Sequence, residues 1–544
     1  MVAGNPQGGG RMWGSTMEGP NGKFIQSTAE MFGRFAAELM PKLVVWQQRL
    51  TADPSQLAAV EEEVHRAFSR GAGMSVAALV SVVLQSKELV AAAEKTRREY
   101  SIPLAKGRDR TMEVKLSGGS VMWVTSAYCE PKHGTSRDSD EKPSGLHIAL
   151  AQFGFGKKVS PGVESRIARQ SALCPSFDSA TKELNRDGMD LDVKTTRRVA
   201  LQCGDDLLKL RTWQLEQWRA GKLVSTNELA GKRVTVRIDG GRTKIRGKLR
   251  KADRREEEYS EDGLLISDAP GRSKAVARRT FDAEWREPKL MTIFVHDENG
   301  RMVKQTRATI DGTFTGPDAM SEIVAMHLHR LGAAKAQSIC FVSDGAVWIW
   351  DRIGSIVKQA GIPDSVKIHE VLDNCHAVHH VSLALSALGI SDEDRNPLYR
   401  ELRTRLRNGQ WRSVVEELEM LSTENPEYPR IQTEVSYLRH HGEAGHLAYP
   451  AFRGHGLPLG SGAIESSIRR VINLRLKGNG IFWEEENAEA MLQIRALVIS
   501  DRWDERVAAM RSHKRSYQLG TWQWAPREMS CKTERGNQAA DSPA

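Results

Sequence analysis

Apolar positions recur at three- and four-residue spacing from about Phe24 to Tyr100, broken at Asp53-Pro54, which predicts a helical region. The period drops to two over Met112–Cys129. There the runs EVKL and SVMWVTSAYC, separated by Gly118-Gly119, predict a β-hairpin. Ser160-Pro161 opens a second helical block. Within it Ser176 caps a helix to Leu184, Gly188 takes a turn, and Val193–Cys203 forms a second helix, followed by another over Asp205–Ala220. From Val234 the pattern turns to strands: VTVRI (234–238), LMTIFV (290–295), SICFV (338–342) and VKIHEVL (366–372). Helical patterns over Asp318–Leu331 and Ala346–Ala360 separate the later ones, so this part is a mixed α/β core. Residues 377–456 are wholly helical, and a long helical segment follows Leu457-Pro458 and a glycine turn.

The resulting division is 1–24 a disordered leader; 25–110 an N-terminal helical region; 111–225 a β-hairpin plus a helix-turn-helix-like region; 230–376 the first part of the α/β core; 377–456 a helical insertion; 457–524 its C-terminal helices; and 525–544 a disordered tail. No apolar run approaches the roughly 18–20 residues that span a bilayer; the stretch near Met74–Leu84 reads as a core helix. The N-terminus has no apolar segment of the signal-peptide kind, so the expected location is cytoplasmic, with no membrane partner. Six cysteines without a Cys-x-x-Cys pair read as free thiols.

The 544 residues carry 78 Lys and Arg against 69 Asp and Glu, a formal charge of +9. That balance permits an acidic partner without requiring one. Its distribution says more. Lys232–Lys251 holds nine Lys or Arg residues and one acid, Asp239, with Arg242, Lys244 and Arg246 on the expected strand. Lys194, Arg197 and Arg198 lie on the second helix of the helix-turn-helix-like pair, where major-groove contacts would fall; an ordinary helical hairpin with solvated cations has the same pattern. Arg469, Arg470, Arg475 and Lys477 follow Glu465 and would hold a nucleic-acid backbone; surface cations around a core Trp483 are the plainer reading.

Three acids stand apart from scattered surface carboxylates. Asp239 ends VTVRI before Gly240-Gly241, Asp344 follows SICFV and Ser343, and Glu465 opens a helix after Gly460-Ser461-Gly462. Acids at strand ends of an α/β core project into the crevice where ligands bind. Three carboxylates converging there would need cations, and hard oxygen ligands suit Mg²⁺ or Mn²⁺. Each acid alone also fits a turn or a first-turn helix acid; Asp282, Glu284, Glu287 and Asp297 compete with Asp239. Asp373 and His376 open a helix after a strand, with Asp373 a cap and His376 and His380 on one face. A zinc site there lacks the Glu of His-Glu-x-x-His, and Cys129-x-x-x-His133 has no second half.

VRIDGG, FVSDGAVWIW, VLDNCHAVHH and GLPLGSGAIESSIRRVINLRLKGNGIFW, in this order, resemble bacterial insertion-sequence transposases of the ISKra type, of the DDE class with an RNase H-like core. So do WREPK (285–289), ENAEAMLQIRALVISDRW and the upstream segments at 153–172 and 176–200, extending the resemblance over roughly residues 112–503. It implies Asp239, Asp344 and Glu465 as the catalytic, metal-binding triad, two Mg²⁺ ions with Mn²⁺ as a substitute, and a helical insertion at about 377–456. It also implies that Asp373 and His376 line the active site as an Asp-x-x-His element. The family's Cys-x-x-Cys-Gly element is replaced here by Cys129-Glu-Pro-Lys-His133. The expected protein is a nucleoid-associated transposase that binds double-stranded DNA at its element's ends, cuts it, joins it to target DNA, and acts as a homodimer or larger synaptic complex. The alternatives are a metal-dependent nuclease on the same core and a transposase-derived, non-catalytic DNA-binding protein.

Overall fold

A computed structural model describes residues 28–99, 104–131, 145–155, 158–249, 281–423, 425, 427–460, 462–478 and 480–518. The expected leader, the expected tail, His133, Ser461, Arg250 and Lys251 lie outside these residues. The chain divides into two compact units. One takes the described residues up to Glu164, Asn185–Asp190 and those from Ala508; the other takes Ser165–Leu184 and Leu191–Val507.

The first unit holds helices α1 (Thr28–Ala52), α2 (Leu57–Leu84) and α3 (Lys87–Glu99). They are joined by an antiparallel sheet in the order β1 (Leu104–Lys115), β2 (Val121–Pro131), β3 (Leu146–His147), with a short α4 (Ile148–Ala151). The hairpin expected from the alternating pattern is β1–β2. Its turn needs glycine: Gly118 has φ +66°, and a Cβ there would lie 2.2 Å from the Ser69 carbonyl. Met74, Ala77, Ala78 and Leu84 of α2 pack on Val114, Leu116, Met122 and Val124 of the hairpin. One expectation is corrected here. The apolar stretch near Met74 continues N-terminally in helix, so Pro54–Leu84 contains an 18-residue window of mean hydropathy 1.6, long and apolar enough to cross a membrane by length and composition alone, as core helices also can be. The serines that interrupt the stretch do not interrupt the helix, because Ser75 and Ser81 return their hydroxyls to the carbonyls of Gly71 and Ala77.

The second unit opens with α5 (Pro161–Leu173, its first turn in the other unit), α6 (Phe177–Arg186) and α7 (Val193–Arg219). The two helices expected over 193–203 and 205–220 are one continuous helix. Gly204 does not stop it; the glycine lets Ala490 approach, since a Cβ would lie 2.6 Å from that residue's carbonyl oxygen. The core sheet contains β4 (Arg233–Gly240), β7 (Lys289–Val295), β8 (Thr309–Thr313), β9 (Ser338–Ser343) and β10 (Lys367–Leu372), in the order β10-β9-β4-β7-β8. β4 runs antiparallel to β7, and β7 to β8, while β9 is parallel to both β4 and β10. Between β4 and β7 the chain forms a separate ribbon, β5 (Thr243–Leu249) with β6 (Phe281–Arg286). The basic run after Asp239 therefore pairs with a distant strand rather than folding back on β4.

Helices α8 (Pro317–Leu331) and α9 (Val347–Gln359) cross between the later strands. Their Ile323, Val324, Leu328, Ile349 and Ile353 pack with Val234, Val236 and Ile238 of β4. Alternation then directs Thr235, Arg237 and Asp239 to the opposite face. That face meets α10 (Asn374–Ala387), α15 (Gly462–Ile468) and α16 (Glu485–Ile499); α17 (Trp503–Gln518) follows and passes into the other unit at Ala508. The expected insertion is helical throughout: α11 (Asp392–Arg407), α12 (Trp411–Ser422), α13 (Tyr428–Glu443) and α14 (Tyr449–Gly454), packing through Leu402, Val414, Leu418, Ile431 and Val435.

β8 carries Asp311 into the interior, which hid it from a hydrophobic reading. Arg211 of α7 donates to Asp311 at 3.0 Å, to Gln493 at 3.0 Å and to Glu489 of α16 at 2.6 Å, and His327 of α8 meets Asp311 at 2.8 Å. Burial alone would raise Asp311; Arg211 and then His327 hold it well below the usual carboxylate range.

Candidate active site

The pairing register places the candidate acids. Val236 of β4 lies opposite Phe341 of β9, and Ser343 of β9 opposite Leu372 of β10. Continuing both registers puts Asp239, Asp344 and Asp373 level with one another at the carboxyl ends of three parallel strands. Equal offsets in parallel strands also place them on one face. A sheet bond from the Asp373 amide to the Ser343 carbonyl, 2.9 Å, extends the pairing to that level. Glu465 is supplied by α15, which packs on β4 and β7.

The acids feel one another. Asp239 is raised to about 6, first by burial and then by Asp344, with Glu465 adding to it; the Gly240 amide, 2.6 Å from Asp239 Oδ1, and His376 act in the opposite sense. Beneath Asp239, Arg237 is 4% exposed, and its guanidinium lies 5.4 Å from the Phe294 ring. Burial lowers Arg237 to about 10, while Asp373, Cys340 and Glu465 favour its charge. A carboxylate oxygen of Asp373, a ring nitrogen of His376 and a carboxylate oxygen of Glu465 all lie within 4.8 Å of one another. The buried Arg237 cation thus acts on two of the carboxylates, Asp373 and Glu465, and divalent ions would balance the rest.

Two neighbours set the Asp344 loop. Trp350 Nε1 donates to the Asp344 carbonyl at 2.8 Å, and Asp344 Oδ1 accepts the Ala346 amide at 3.2 Å. Tyr437 of the insertion covers Gly345 so closely that a Cβ there would lie 1.9 Å from its ring. Tyr437 stacks on His380 at 3.6 Å, and His380 pairs with Glu434 at 2.5 Å. His380 is thereby engaged with Glu434 and Tyr437, and the converging ligand atoms among the described residues include His376 without it.

The expected cations separate into groups. Arg242 and Arg246 are exposed and Lys244 is half-buried on β5. Trp285 of β6, 49% exposed, is ringed by Arg242 (5.3 Å), Lys244 (5.0 Å) and Lys477 (5.9 Å). Arg469 and Arg470 are exposed on the π-helical turn after Glu465, and Lys194, Arg197 and Arg198 are exposed on α7. Arg475 differs. It is 3% exposed, lies between Phe177 (4.8 Å) and Trp483 (5.0 Å), and donates to the Ser171 carbonyl at 3.1 Å. Its surroundings give it a structural post at the end of α5 rather than a place at the surface. Among the competing acids, Glu287 bonds Lys289 at 2.6 Å beside Gly240, and Asp297 caps a turn through the amides of Asn299 and Arg301. Glu284 is exposed on β6; the side chain of Asp282 lies outside the described ones. Cys129 is buried, and no disulfide joins the described cysteines.

Arg237, Tyr437 and the Trp285 ring were not read as functional from the sequence. The signal for the first was present: a lone arginine on an otherwise apolar strand, two residues before the candidate acid.

No family model matches the sequence, and no curated protein does. Among solved structures, the Drosophila P element transposase strand transfer complex aligns with 13% identity over 69% of this chain and 82% of that chain, with a TM-score of 0.22. A score that low does not establish a shared fold.

Proposed function

We propose that the chain is a DNA transposase of the DDE class whose five-stranded sheet is the RNase H-like core implied by the sequence resemblance. The observation that carries this reading is the common level of Asp239 and Asp344 at adjacent parallel strand ends, with Glu465 coupled to Asp239 from a later helix. Asp239 and Asp344 would share two Mg²⁺ ions, or Mn²⁺ in their place, and Glu465 would complete the second position. Such ions, when bound, activate a water or a 3′-hydroxyl and stabilise the leaving oxygen of a phosphodiester. The protein's own contribution is to hold the carboxylates on rigid strand ends and to offset part of their repulsion through Arg237.

The substrate is double-stranded DNA, first the element's ends and then the target. Arg242, Lys244 and Lys477 around Trp285, with Arg246, Arg469 and Arg470, provide phosphate contacts, and Lys194, Arg197 and Arg198 face an end sequence. Bringing two ends together calls for a homodimer or larger complex in the bacterial cytoplasm, at the nucleoid. A nuclease on the same core would use the same acids; the retention of all three favours a catalytic protein over a silent DNA-binding derivative.

The nucleic-acid half of this reading is tested by the salt dependence of DNA binding. Each phosphate contact contributes about 0.9 to the slope of log K against log salt. Replacing Arg242, Lys244 and Lys477 together by Ala is expected to make that slope shallower by about 3. An unchanged slope would remove this cluster from the DNA interface.

A further inference from the structure

We propose that Asp373, His376 and Glu465 form a cation position of their own, adjacent to the Asp239–Asp344 pair and suited to a divalent transition-metal ion rather than Mg²⁺. It rests on the reading above only in sharing Glu465.

The three candidate ligand atoms already lie within 4.8 Å of one another. Ligands about 2.1 Å from a common ion stand roughly 3–4 Å apart. Small rotations of half-buried His376 and exposed Glu465 close that difference, while Asp373 stays fixed. What fixes Asp373 is its role as the N-cap of α10: Oδ1 accepts the amides of Cys375 at 2.5 Å and His376 at 3.3 Å.

The second oxygen of Asp373 is the independent evidence. The residue is 0% exposed, and Oδ2 has no hydrogen-bond partner. A fully buried carboxylate oxygen left unpaired costs free energy, and such atoms are normally satisfied by a donor or a cation. The Arg237 guanidinium acts on Asp373 electrostatically, yet no bond joins it to Oδ2, and Arg237 Nε is itself unpaired. A cation ligated by Oδ2, the His376 ring nitrogen and Glu465 would supply the missing partner.

The donor set defines the class of ion. Asp239 and Asp344 offer oxygen alone, which suits Mg²⁺. An imidazole nitrogen with two carboxylate oxygens moves the preference toward Mn²⁺, Fe²⁺ or Zn²⁺. His380 does not belong to this group of converging ligand atoms; its Nδ1 pairs with Glu434 and its ring stacks on Tyr437.

Mn²⁺ is the probe. The full-length protein, stripped with chelator, is titrated with Mn²⁺ while free ion is counted by EPR, and the bound ion is examined by electron spin-echo modulation for coupled ¹⁴N. The wild type is expected to show nitrogen modulation. His376→Ala should abolish it and weaken one class of bound Mn²⁺ at least tenfold. Asp373→Asn, which keeps an acceptor oxygen for the helix cap, should weaken the same class. Asp344→Asn should retain the nitrogen-coupled ion. Absence of nitrogen modulation in the wild type, or its persistence in His376→Ala, overturns the site; its loss in Asp344→Asn overturns its separateness. A nitrogen-coupled ion in a protein that performs no DNA chemistry would refute the transposase reading and leave this one standing.

Discussion

Replacing Asp344 by Asn is expected to reduce Mg²⁺-dependent cleavage of element-end DNA at least about a thousandfold, a barrier increase of roughly 4 kcal/mol. Binding to the same DNA should stay within about twofold. The substitution keeps the shape of the side chain and an oxygen that can accept the Ala346 amide, and the Trp350 bond goes to the backbone carbonyl, so the loop is preserved. What is lost is a charge beside half-buried Asp239. A gel assay of nicked and cut products, with a binding titration in Ca²⁺, separates the two effects. Unchanged cleavage would mean that another carboxylate does the work, and Glu287, next to Gly240, would be the first to examine.

The second large effect is on stability. Arg211→Met is expected to cost about 3–5 kcal/mol, because it strands Asp311 and Glu489 in the interior without their cation. Thermal unfolding of the sheet-bearing unit should shift down by about 5–10 °C. Arg219→Met, eight residues later on the same helix, removes an exposed pair with Glu322 and should cost no more than about 1 kcal/mol. Calorimetry on the two variants is the check; equal shifts would contradict the assignment of Arg211 as the buried pin.

Much of this architecture was legible in the chain. Three core strands, β4, β7 and β9, announced themselves because both faces are buried and their apolar runs are nearly continuous, while the edge strand β10 showed through its β-branched run. β8 did not, because TIDGT hides its central acid in an ion pair supplied from α7, one hundred residues earlier. The single helix over Val193–Arg219 was read as two because Gly204 looks like a stop until Ala490 is seen against it. The pairing of β5 with β6 was illegible for another reason: thirty-one residues separate Leu249 from Phe281, and local turn chemistry does not report on such a partner.

At the site, Asp239, Asp344 and Glu465 were each visible at an element's end, yet their mutual placement depends on the register of β4 against β9. The same register gives Asp373 its place beside Asp344. From the residues alone it reads as a helix cap, and only the family resemblance pointed to a place lining the active site. Arg475 shows the opposite limit. Its neighbours Arg469, Arg470 and Lys477 are exposed, and nothing in the run RLKGNGIFW distinguishes the one arginine that Phe177 and Trp483 enclose.

The central claim is that these carboxylates join DNA as well as cut it. The most direct test supplies the purified protein with pre-cut element ends bearing free 3′-hydroxyls, a target plasmid and Mg²⁺, and resolves the products on a denaturing gel. End-to-target joined products that vanish in Asp344→Asn are expected; hydrolysis of DNA with no joined product in the wild type would contradict strand transfer.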